Sequence, residues 1–449
     1  MTVSRRTPAR HIVTAIRFLV AAGARAARAS LAESISHHCD GGDACQWLID
    51  TNMLTTTIAV GAVLSAALSS LMYIAAWLLS SFERMPRGTI PISVLKPVKG
   101  LDDELEENLE SFCRQTHRQY EIIVGAADAD DPALAVAQRV KERHPLVAFR
   151  IVSGQWPTGL NPKVRNLRKL LTRARYSAIL VSDADVRVGT DYLSVMAGAL
   201  EHPKVGLVSN LVVGKGERTI GAACENLRLN GFVAATVAAA QRFLQHPVVV
   251  GKSMLFRRDA LSNAGGFAAT ADVLAEDYLL GRAVAAAGYQ VKVLGYPVFA
   301  VNRTGSITKM LQRHTRWSQI RRHIAPLAFA LEPLASPALW LMLFTASWWA
   351  SGATRPLAAA VIIAVSSCAL LLEAALCAAL QGAPVKLSTL TLLPLSSILG
   401  FGAWVLGWVK NTVVWRHQQL RIGTGSRLRP INPDLLTANP SAAGMRKAA

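Results

Sequence analysis

Three acidic groups and one arginine–tryptophan group stand out in the middle of the chain, because their side chains can bind charge or move a proton. Carboxylates coordinate hard divalent cations and act as general bases. Arginine pairs with phosphate oxygens, and tryptophan offers an apolar wall. The set therefore predicts a site for a nucleoside diphosphate, a divalent metal and a proton transfer. Its members are residues 128–131, Asp183-Ala184-Asp185, Glu276-Asp277 and Arg313-His314-Thr315-Arg316-Trp317.

Asp183 and Asp185 directly follow an apolar run, residues 176–181, that predicts a buried strand. Two carboxylates at positions i and i+2 beyond a strand can act together, because one can meet the nucleoside while the other holds a divalent ion on the diphosphate oxygens. A lone pair of this kind also arises by chance, usually in a solvated turn. The preceding strand and the other acidic groups favour the metal-binding interpretation.

Two further motifs have simpler explanations. Glu276 and Asp277 begin a predicted helix, and the helix dipole alone favours acidic residues there. Gly251-Lys252-Ser253 looks like the end of a phosphate-binding loop, but residue 246 is His instead of the glycine that such a loop requires. We therefore expect a loop that enters a strand, with Gly251 allowing close approach of a ligand.

The elements that must position these residues alternate between strand and helix patterns. Strands are predicted at 89–98, 120–125 and 149–152, and helices at 101–115 and 132–144. This order predicts an α/β fold with a Rossmann-like mixed, mainly parallel sheet covered on both faces. Ligands bind beyond the carboxyl ends of strands in such sheets, and Asp128 lies at one of these ends.

Apolar segments flank this block. The run 53–79 exceeds the ~20 residues that a membrane-spanning helix needs. The runs 357–380 and 387–409 also have the length and composition of spans. The run 325–350 contains Glu332, Pro333 and Pro337, so it is either an interfacial helix or a third C-terminal span. The predicted organisation is a spanning helix at 53–80, a catalytic domain at 85–323, a membrane region at 325–409 and a basic tail at 410–449.

Charge supports a membrane protein. The formal net charge is +19, and the mean hydropathy is +0.30. No nucleic-acid-binding module is recognisable, so the basic excess favours an anionic membrane surface. Positive residues follow both the first and the last span, which predicts that both flanks face the cytoplasm. If both flanks are cytoplasmic, the chain must cross the membrane an even number of times after the catalytic block. Two spans plus one interfacial helix meet this requirement.

The N-terminal 52 residues fit this topology poorly. They form a basic extension, a candidate for disorder, that a single crossing at 53–80 would place outside the cell. One hypothesis is that translation begins at Met53. The six cysteines show no paired spacing and indicate a reducing compartment. A metal cluster at His37, His38, Cys39 and Cys45 is rejected, because no second ligand pair follows at zinc spacing.

The motifs between about residues 91 and 322 resemble the ceramide glucosyltransferases and their bacterial relatives, which are inverting glycosyltransferases with a GT-A fold. Among these bacterial relatives, the sequence most resembles the hopanoid-biosynthesis glycosyltransferase. The residues that carry the resemblance are Ser93-Val-Leu-Lys96-Pro97, Asp130-Asp131-Pro132, Asn161-Pro162-Lys163, Arg257-Arg258-Asp259, Ala275-Glu276-Asp277-Tyr278 and Arg313-x-x-Arg316-Trp317.

This resemblance implies roles for individual residues. Asp277 would be the catalytic base, with Arg313, Arg316 and Trp317 beside the acceptor and the diphosphate. The implied ligands of the UDP-sugar donor and of Mg²⁺ or Mn²⁺ form two sets. They are Lys96, Asp128, Lys163 and Asp183 for the nucleotide, and Asp183 with Asp185 for the metal.

The expected reaction moves N-acetylglucosamine to bacteriohopanetetrol at the cytoplasmic face of a bacterial inner membrane, with no nucleic acid and no obligate protein partner. Transfer of glucose to ceramide is the alternative. A processive polysaccharide synthase shares the arginine–tryptophan motif and is a second alternative. A membrane-anchored binding protein with an inactive transferase fold is a third, which the full set of acidic residues disfavours.

Overall fold

The computed structural model describes residues 43–82, 85–154, 157–246, 248–351, 356–415 and 418–431. Most of the predicted N-terminal extension, including His37, His38 and Cys39 of the rejected cluster, lies outside these ranges. The last eighteen positions of the predicted basic tail, 432–449, lie outside them as well.

The strands of the described ranges form one large and one small sheet. In chain order they are β1 (Ile92–Pro97), β2 (Tyr120–Gly125), β3 (Ala148–Val152), β4 (Ala178–Ser182), β5 (Val186–Arg187), β6 (Val205–Lys215), β7 (Ser253–Arg257), β8 (Gln290–Val301), β9 (Thr412–Trp415), β10 (Gln418–Ile422) and β11 (Leu428–Pro430).

The large sheet has the order β3-β2-β1-β4-β7-β6-β8-β5. Strand β1 runs parallel to β2 and β4, β2 runs parallel to β3, and β6 runs parallel to β8. Strand β7 is antiparallel to both of its neighbours, and β5 is antiparallel to β8. The predicted mixed, mainly parallel sheet is confirmed. The small sheet is antiparallel, with the order β11-β10-β9.

Helices connect these strands and flank them. They are α1 (Asp43–Phe82), α2 (Leu105–Cys113), α3 (Pro132–Arg143), α4 (Pro162–Leu171), α5 (Tyr192–Glu201), α6 (Ile220–Arg228), α7 (Ala234–Phe243), α8 (Arg258–Asn263), α9 (Glu276–Ala286), α10 (Ile307–Ile324), α11 (Pro326–Leu331), α12 (Pro337–Ser351), α13 (Pro356–Gln381), α14 (Leu387–Leu390) and α15 (Leu393–Val409). A π-helical turn, Leu229–Val233, joins α6 to α7.

The core consists of apolar layers on both faces of the large sheet. Side chains alternate between the faces of a strand, so Val94 of β1 packs in one layer and Leu95 in the other. Phe112 of α2 lies in the first layer, and Leu167 of α4 lies in the second. Because both faces are covered, β1, β2 and β4 are mainly apolar runs in the sequence, which is why they could be predicted.

Two compact units can be distinguished. Of the described residues, the first contains those from 43 to 68 together with those from 336 to 370, and the second contains those from 69 to 335 together with those from 371 to 431. Within the first unit, Ala62, Phe344, Ala359 and Ile362 form an apolar cluster. The second unit contains both sheets.

Three described helices are long and apolar enough to cross a membrane: residues 53–81, 356–381 and 387–409. A bent pair, Pro326–Ala335 and Pro337–Ser351, meets at 60° and would make a fourth if it forms one span. The bend falls beside Pro337, one of the residues that made this segment ambiguous in the sequence. Helix α1 starts at Asp43, so part of the predicted extension is helical.

The first part of the predicted basic tail has regular structure. Residues 412–430 contain the three strands of the small sheet, whose Val413, Leu420, Ile422 and Leu428 form an apolar cluster with Leu274. This cluster places the small sheet against the segment that leads into α9.

Candidate active site

The Asp183-Ala184-Asp185 turn links β4 to β5 at the carboxyl end of β4. Ala184 is buried and its carbonyl oxygen lies 3.4 Å from the Asn108 side-chain nitrogen, whereas both aspartate side chains stay partly exposed. Val301 N–H donates to the Asp185 carbonyl oxygen at 2.9 Å and fixes the turn to β8. The turn therefore presents both carboxylates together.

Lys163 connects this turn to the helix that carries Asp277. Its Nζ lies 2.8 Å from Asp183 Oδ1, 3.2 Å from Glu276 Oε1 and 3.0 Å from the Gly251 carbonyl oxygen. Burial alone would lower the pKa of Lys163, but the carboxylates of Asp183 and Glu276 raise it above its ordinary value. Lys163 therefore stays protonated and is an internal counter-ion of the acidic groups.

The position of Lys163 follows from the cap of its helix. Asn161 Oδ1 accepts from the backbone N–H groups of Lys163 and Val164, both at 3.0 Å, which satisfies the first turn of α4. The Asn161 Nδ2 group donates to the Val273 carbonyl oxygen at 2.8 Å and to Glu276 Oε2 at 3.2 Å. Asn161 thereby joins the start of α4 to the start of α9.

Glu276 and Asp277 have different surroundings, although they are neighbours. Glu276 is 6% exposed, and both of its oxygens have partners, Lys163 and Asn161. Asp277 is less buried; its Oδ2 accepts from Gly251 N–H at 2.7 Å and its Oδ1 from Tyr278 N–H at 2.8 Å. Asp277 is thus the carboxylate of this pair that a substrate can reach.

The pKa values of this cluster are set by burial and by charge. Burial raises the pKa of Asp277 above the ordinary aspartate value; Lys163 and the two N–H donors oppose the rise without cancelling it. Burial also raises the pKa of Glu276. For Asp183 burial acts in the same direction, but Lys163 and Lys252 outweigh it and hold the pKa low. A raised pKa suits a carboxylate that must accept a proton.

The Gly251-Lys252 turn before β7 closes the cluster. A Cβ at Gly251 would lie 2.9 Å from Asp277 Oδ2 and 3.1 Å from Lys163 Nζ, so a larger residue there would push these side-chain ends out of place. Lys252 Nζ bonds Asp185 Oδ2 and lies 3.7 Å from Asp183 Oδ2. The expected close approach of a ligand at Gly251 stays a prediction.

Lys96 lies beneath the turn at the end of β1. It is fully buried, and its Nζ donates to the Asp183 carbonyl oxygen at 2.6 Å and to Ser182 Oγ at 3.3 Å, above the Phe112 ring. Burial lowers the pKa of Lys96 to about 7. Its contacts support the backbone of the turn.

Asp128 has a different setting. It is exposed at the carboxyl end of β2, and its Oδ1 accepts from Asp130 N–H at 3.0 Å. The neighbouring Asp131 caps α3 and also accepts from Gly100 N–H at 2.8 Å. No contact joins Asp128 to the lysine–carboxylate cluster among the described residues, so its predicted role in nucleotide binding remains a prediction.

The arginine–tryptophan motif lies on α10. Arg313 Nη1 lies 2.6 Å from Glu225 Oε1 and 3.2 Å from Asn302 Oδ1. Burial alone would lower the pKa of Arg313, but the charges of Glu225 and Asp185 raise it. Arg313 therefore shares the electrostatic field of the Asp183–Asp185 turn. Arg316 and Trp317 follow on the same helix, each partly buried.

The carboxylates fit a divalent metal. Asp185 Oδ1 is buried and has no hydrogen-bond partner within the described chain, and Mg²⁺ is commonly bound by one or two carboxylates plus substrate phosphates. In the ranges described, no three His, Cys, Asp or Glu side chains are arranged so that they alone could hold a metal ion. Asp183 and Asp185 would therefore hold a metal only together with oxygens from the diphosphate or water.

The small C-terminal sheet holds the segment before α9. Leu274 N–H donates to the Ser426 carbonyl oxygen at 2.9 Å, and Ala275 N–H donates to Ser426 Oγ at 3.1 Å. Gln319 of α10 binds the carbonyl oxygens of Lys410 and Thr412 at 2.9 and 3.0 Å. Residues 410–430 thus hold both α10 and the backbone segment that leads into Asp277.

Sequence patterns missed several of these positions. Lys252 was visible only as part of a rejected motif, and Ser426 lies in a segment interpreted as a tail. Asn161-Pro162 was recognised as part of a motif, and its Asn-Pro pattern is typical of a helix start, but its contact with Glu276 was not predicted. Glu276 looks like an ordinary acidic residue at the start of a helix, so the local sequence did not reveal its contact with Lys163.

The buried His314 should make the stability of the folded protein depend on pH. It is buried, and its ring lies 5.0 Å from the Trp317 ring; burial and the charges of Arg228, Arg321 and Arg313 hold its pKa well below the ordinary value. The unfolded chain gains a proton at this histidine below about pH 6.5, whereas the folded chain stays neutral. Acidification from pH 7.5 to 5.5 should therefore cost about 1 kcal/mol of stability through this group.

We expect the drop in Tm between these pH values to be smaller by about 2 °C in His314→Gln than in the parent protein. The measurement is thermal unfolding of the detergent-solubilised full chain. The exposed His202, changed to Gln, is the control and should show the parental drop. An unchanged drop in His314→Gln would contradict the account of this side chain.

Known proteins are similar to this chain in sequence. Residues 57–428 match glycosyl transferase family 21. Two ceramide glucosyltransferases of Caenorhabditis elegans are similar: number 3 is 30% identical over 244 residues (54% of this chain, 53% of the relative), and number 1 is 28% identical over 251 residues (56% and 54%). The chain spans about half the length of these relatives.

A solved structure shows the fold. The mannosyltransferase of Pyrobaculum calidifontis in complex with GDP-Man and Mn²⁺ superposes with a TM-score of 0.51 at 20% identity, over 80% of this chain and 98% of that one. The predicted GT-A architecture is confirmed by this likeness and by the mixed sheet. The family match covers most of the sequence, and the chain belongs to glycosyl transferase family 21.

Proposed function

We propose that this protein transfers a sugar from a UDP-sugar to the hydroxyl group of a membrane lipid. The observation that carries the proposal is the link between Asp277 and the Asp183–Asp185 turn through Lys163 and Gly251. A reachable carboxylate of raised pKa therefore lies beside a pair that fits a metal-bound diphosphate. The helices that can cross a membrane supply a surface from which a lipid can enter.

The relatives favour glucose and ceramide as donor sugar and acceptor. The similar proteins are named ceramide glucosyltransferases, in support of that alternative over the expected transfer of N-acetylglucosamine to bacteriohopanetetrol. We therefore propose glucosylation of a ceramide-type lipid, whose primary hydroxyl is the attacking group. The hopanoid acceptor and a polymeric product become outcomes of the test.

The proposed mechanism is a single displacement with inversion. Asp277 accepts the proton of the lipid hydroxyl as that oxygen bonds to the anomeric carbon, and the bond from that carbon to the diphosphate oxygen breaks. When bound, Mg²⁺ or Mn²⁺ on Asp183 and Asp185 would neutralise charge on the departing diphosphate. Lys163 keeps Asp183 ionised, and the charge of Arg313 adds to the positive field at this turn.

We further propose that the catalytic domain faces the cytoplasm of a bacterium, at the inner membrane. The support is the excess of Lys and Arg after the first and last apolar helices. Residues 410–430, with their fixed contacts to α10, belong to the same side as the large sheet.

The test of the function uses membranes that contain the full chain, supplied with UDP-glucose or UDP-N-acetylglucosamine and with ceramide or bacteriohopanetetrol. Mass spectrometry identifies the lipid product. We expect hexosyl ceramide from UDP-glucose. An N-acetylhexosaminyl hopanoid would favour the hopanoid acceptor instead, material that stays at the chromatographic origin would indicate a polymer, and no consumption of either donor would refute transferase activity.

Replacement of Asp277 tests the base. Asp277→Asn keeps the size of the side chain but cannot take the proton, so turnover should fall roughly a hundredfold or more while donor binding changes little. The measurements are initial rates and UDP-sugar affinity. The exposed Asp259→Asn is the matched control and should keep the parental rate. Near-parental turnover in Asp277→Asn would assign the base elsewhere.

A further inference from the structure

Lys252 occupies the position between the two aspartates of the turn. Its ammonium bonds Asp185 Oδ2 and lies 3.7 Å from Asp183 Oδ2, and these carboxylates are its ionic contacts within the described chain. The side chain is 16% exposed, so the contact can be reached from solvent. An ammonium therefore lies where the two carboxylates would share a divalent cation.

The other two lysines of the cluster are held by additional groups. Lys163 also binds Glu276 and the Gly251 carbonyl oxygen. Lys96 is fully buried and binds the main chain at Asp183 together with Ser182. Among the described contacts, the Lys252 ammonium binds only the two aspartates of the turn. Of the three lysines, it is therefore the one whose displacement breaks the fewest contacts with other parts of the chain.

The turn itself is fixed independently of this ammonium. The Lys252 carbonyl oxygen accepts from Asp183 N–H at 3.4 Å, and the adjacent Gly251 N–H is bound to Asp277. The side chain of Lys252 can therefore move while its backbone stays in place. Asp185 Oδ1, buried and without a partner in the described chain, remains available as a ligand atom.

We propose that Lys252 is a built-in counter-cation that a divalent metal must displace from Asp183 and Asp185, and that this competition couples metal binding to nucleotide binding. The proposal rests on the function proposed above, since it presumes that this turn receives a diphosphate. Without nucleotide, the metal must separate Lys252 from both carboxylates. With nucleotide, the displaced ammonium finds phosphate oxygens, so metal and diphosphate strengthen each other's binding.

The test is the affinity of the purified full chain for Mn²⁺, measured from the electron paramagnetic resonance of the free aquo ion, without donor or acceptor. Lys252→Met removes the charge at similar length and should bind Mn²⁺ at least about tenfold more tightly than the parent. Lys252→Gln should act in the same direction. Lys252→Arg, which keeps the charge, and the exposed Lys204→Met should both resemble the parent.

Two further measurements test whether the change in Mn²⁺ affinity arises at the Asp183–Asp185 turn. Adding Asp185→Asn to Lys252→Met should abolish the gain, because it removes a ligand of the turn. In the parent protein, UDP should raise Mn²⁺ affinity by at least about tenfold, and in Lys252→Met by clearly less.

Equal Mn²⁺ affinity in the parent, Lys252→Met and Lys252→Gln would overturn the proposal. So would the absence of any effect of UDP on the parent. Failure of the proposed function is separate, since it would show as absence of sugar transfer by the parent protein, whereas these measurements need neither sugar nor lipid.

Discussion

The contact of Lys163 with Asp183 and Glu276 is the interaction on which the candidate active site depends. Four carboxylates, Asp183, Asp185, Glu276 and Asp277, lie in one partly buried region, and such a group is unstable without internal cations. Lys163 supplies one cation to two different segments. It thereby ties the end of β4 to the start of α9, which are nearly a hundred residues apart in the chain.

Several parts of the fold hold Lys163 and its carboxylate partners in position. Asn161 caps α4 and also binds Glu276, so the same side chain orients Lys163 and one of its partners. From beneath, Lys96 supports the Asp183 backbone. Ser426 of the C-terminal segment holds the residues before Glu276. The chain thus fixes its acidic groups through ion pairs and through side chain–backbone hydrogen bonds, and it leaves Asp277 and the Asp183–Asp185 pair as the reachable carboxylates.

Local patterns predicted the parts of this structure that have local causes. Strands β1, β2 and β4 are mainly apolar runs, and Asp183 follows β4 directly, so the Asp183–Asp185 turn and the α/β class could be expected. The pairing of Lys252 with Asp185 and of Ser426 with Ala275 could not, because each joins segments at least 67 positions apart. The tail interpretation of residues 410–430 rested on charge, whereas Val413, Leu420 and Ile422 are buried by contacts with Leu274 that no local period reveals.

We expect the donor to bind at the cluster of Asp183, Asp185, Lys163 and Asp277. The measurement is hydrogen–deuterium exchange of the full chain in lipid nanodiscs, with and without UDP and Mn²⁺. Bound UDP and Mn²⁺ should slow exchange in the segments 182–187, 248–254 and 272–279. Protection confined to other parts of the chain, or no protection at saturating UDP, would contradict it.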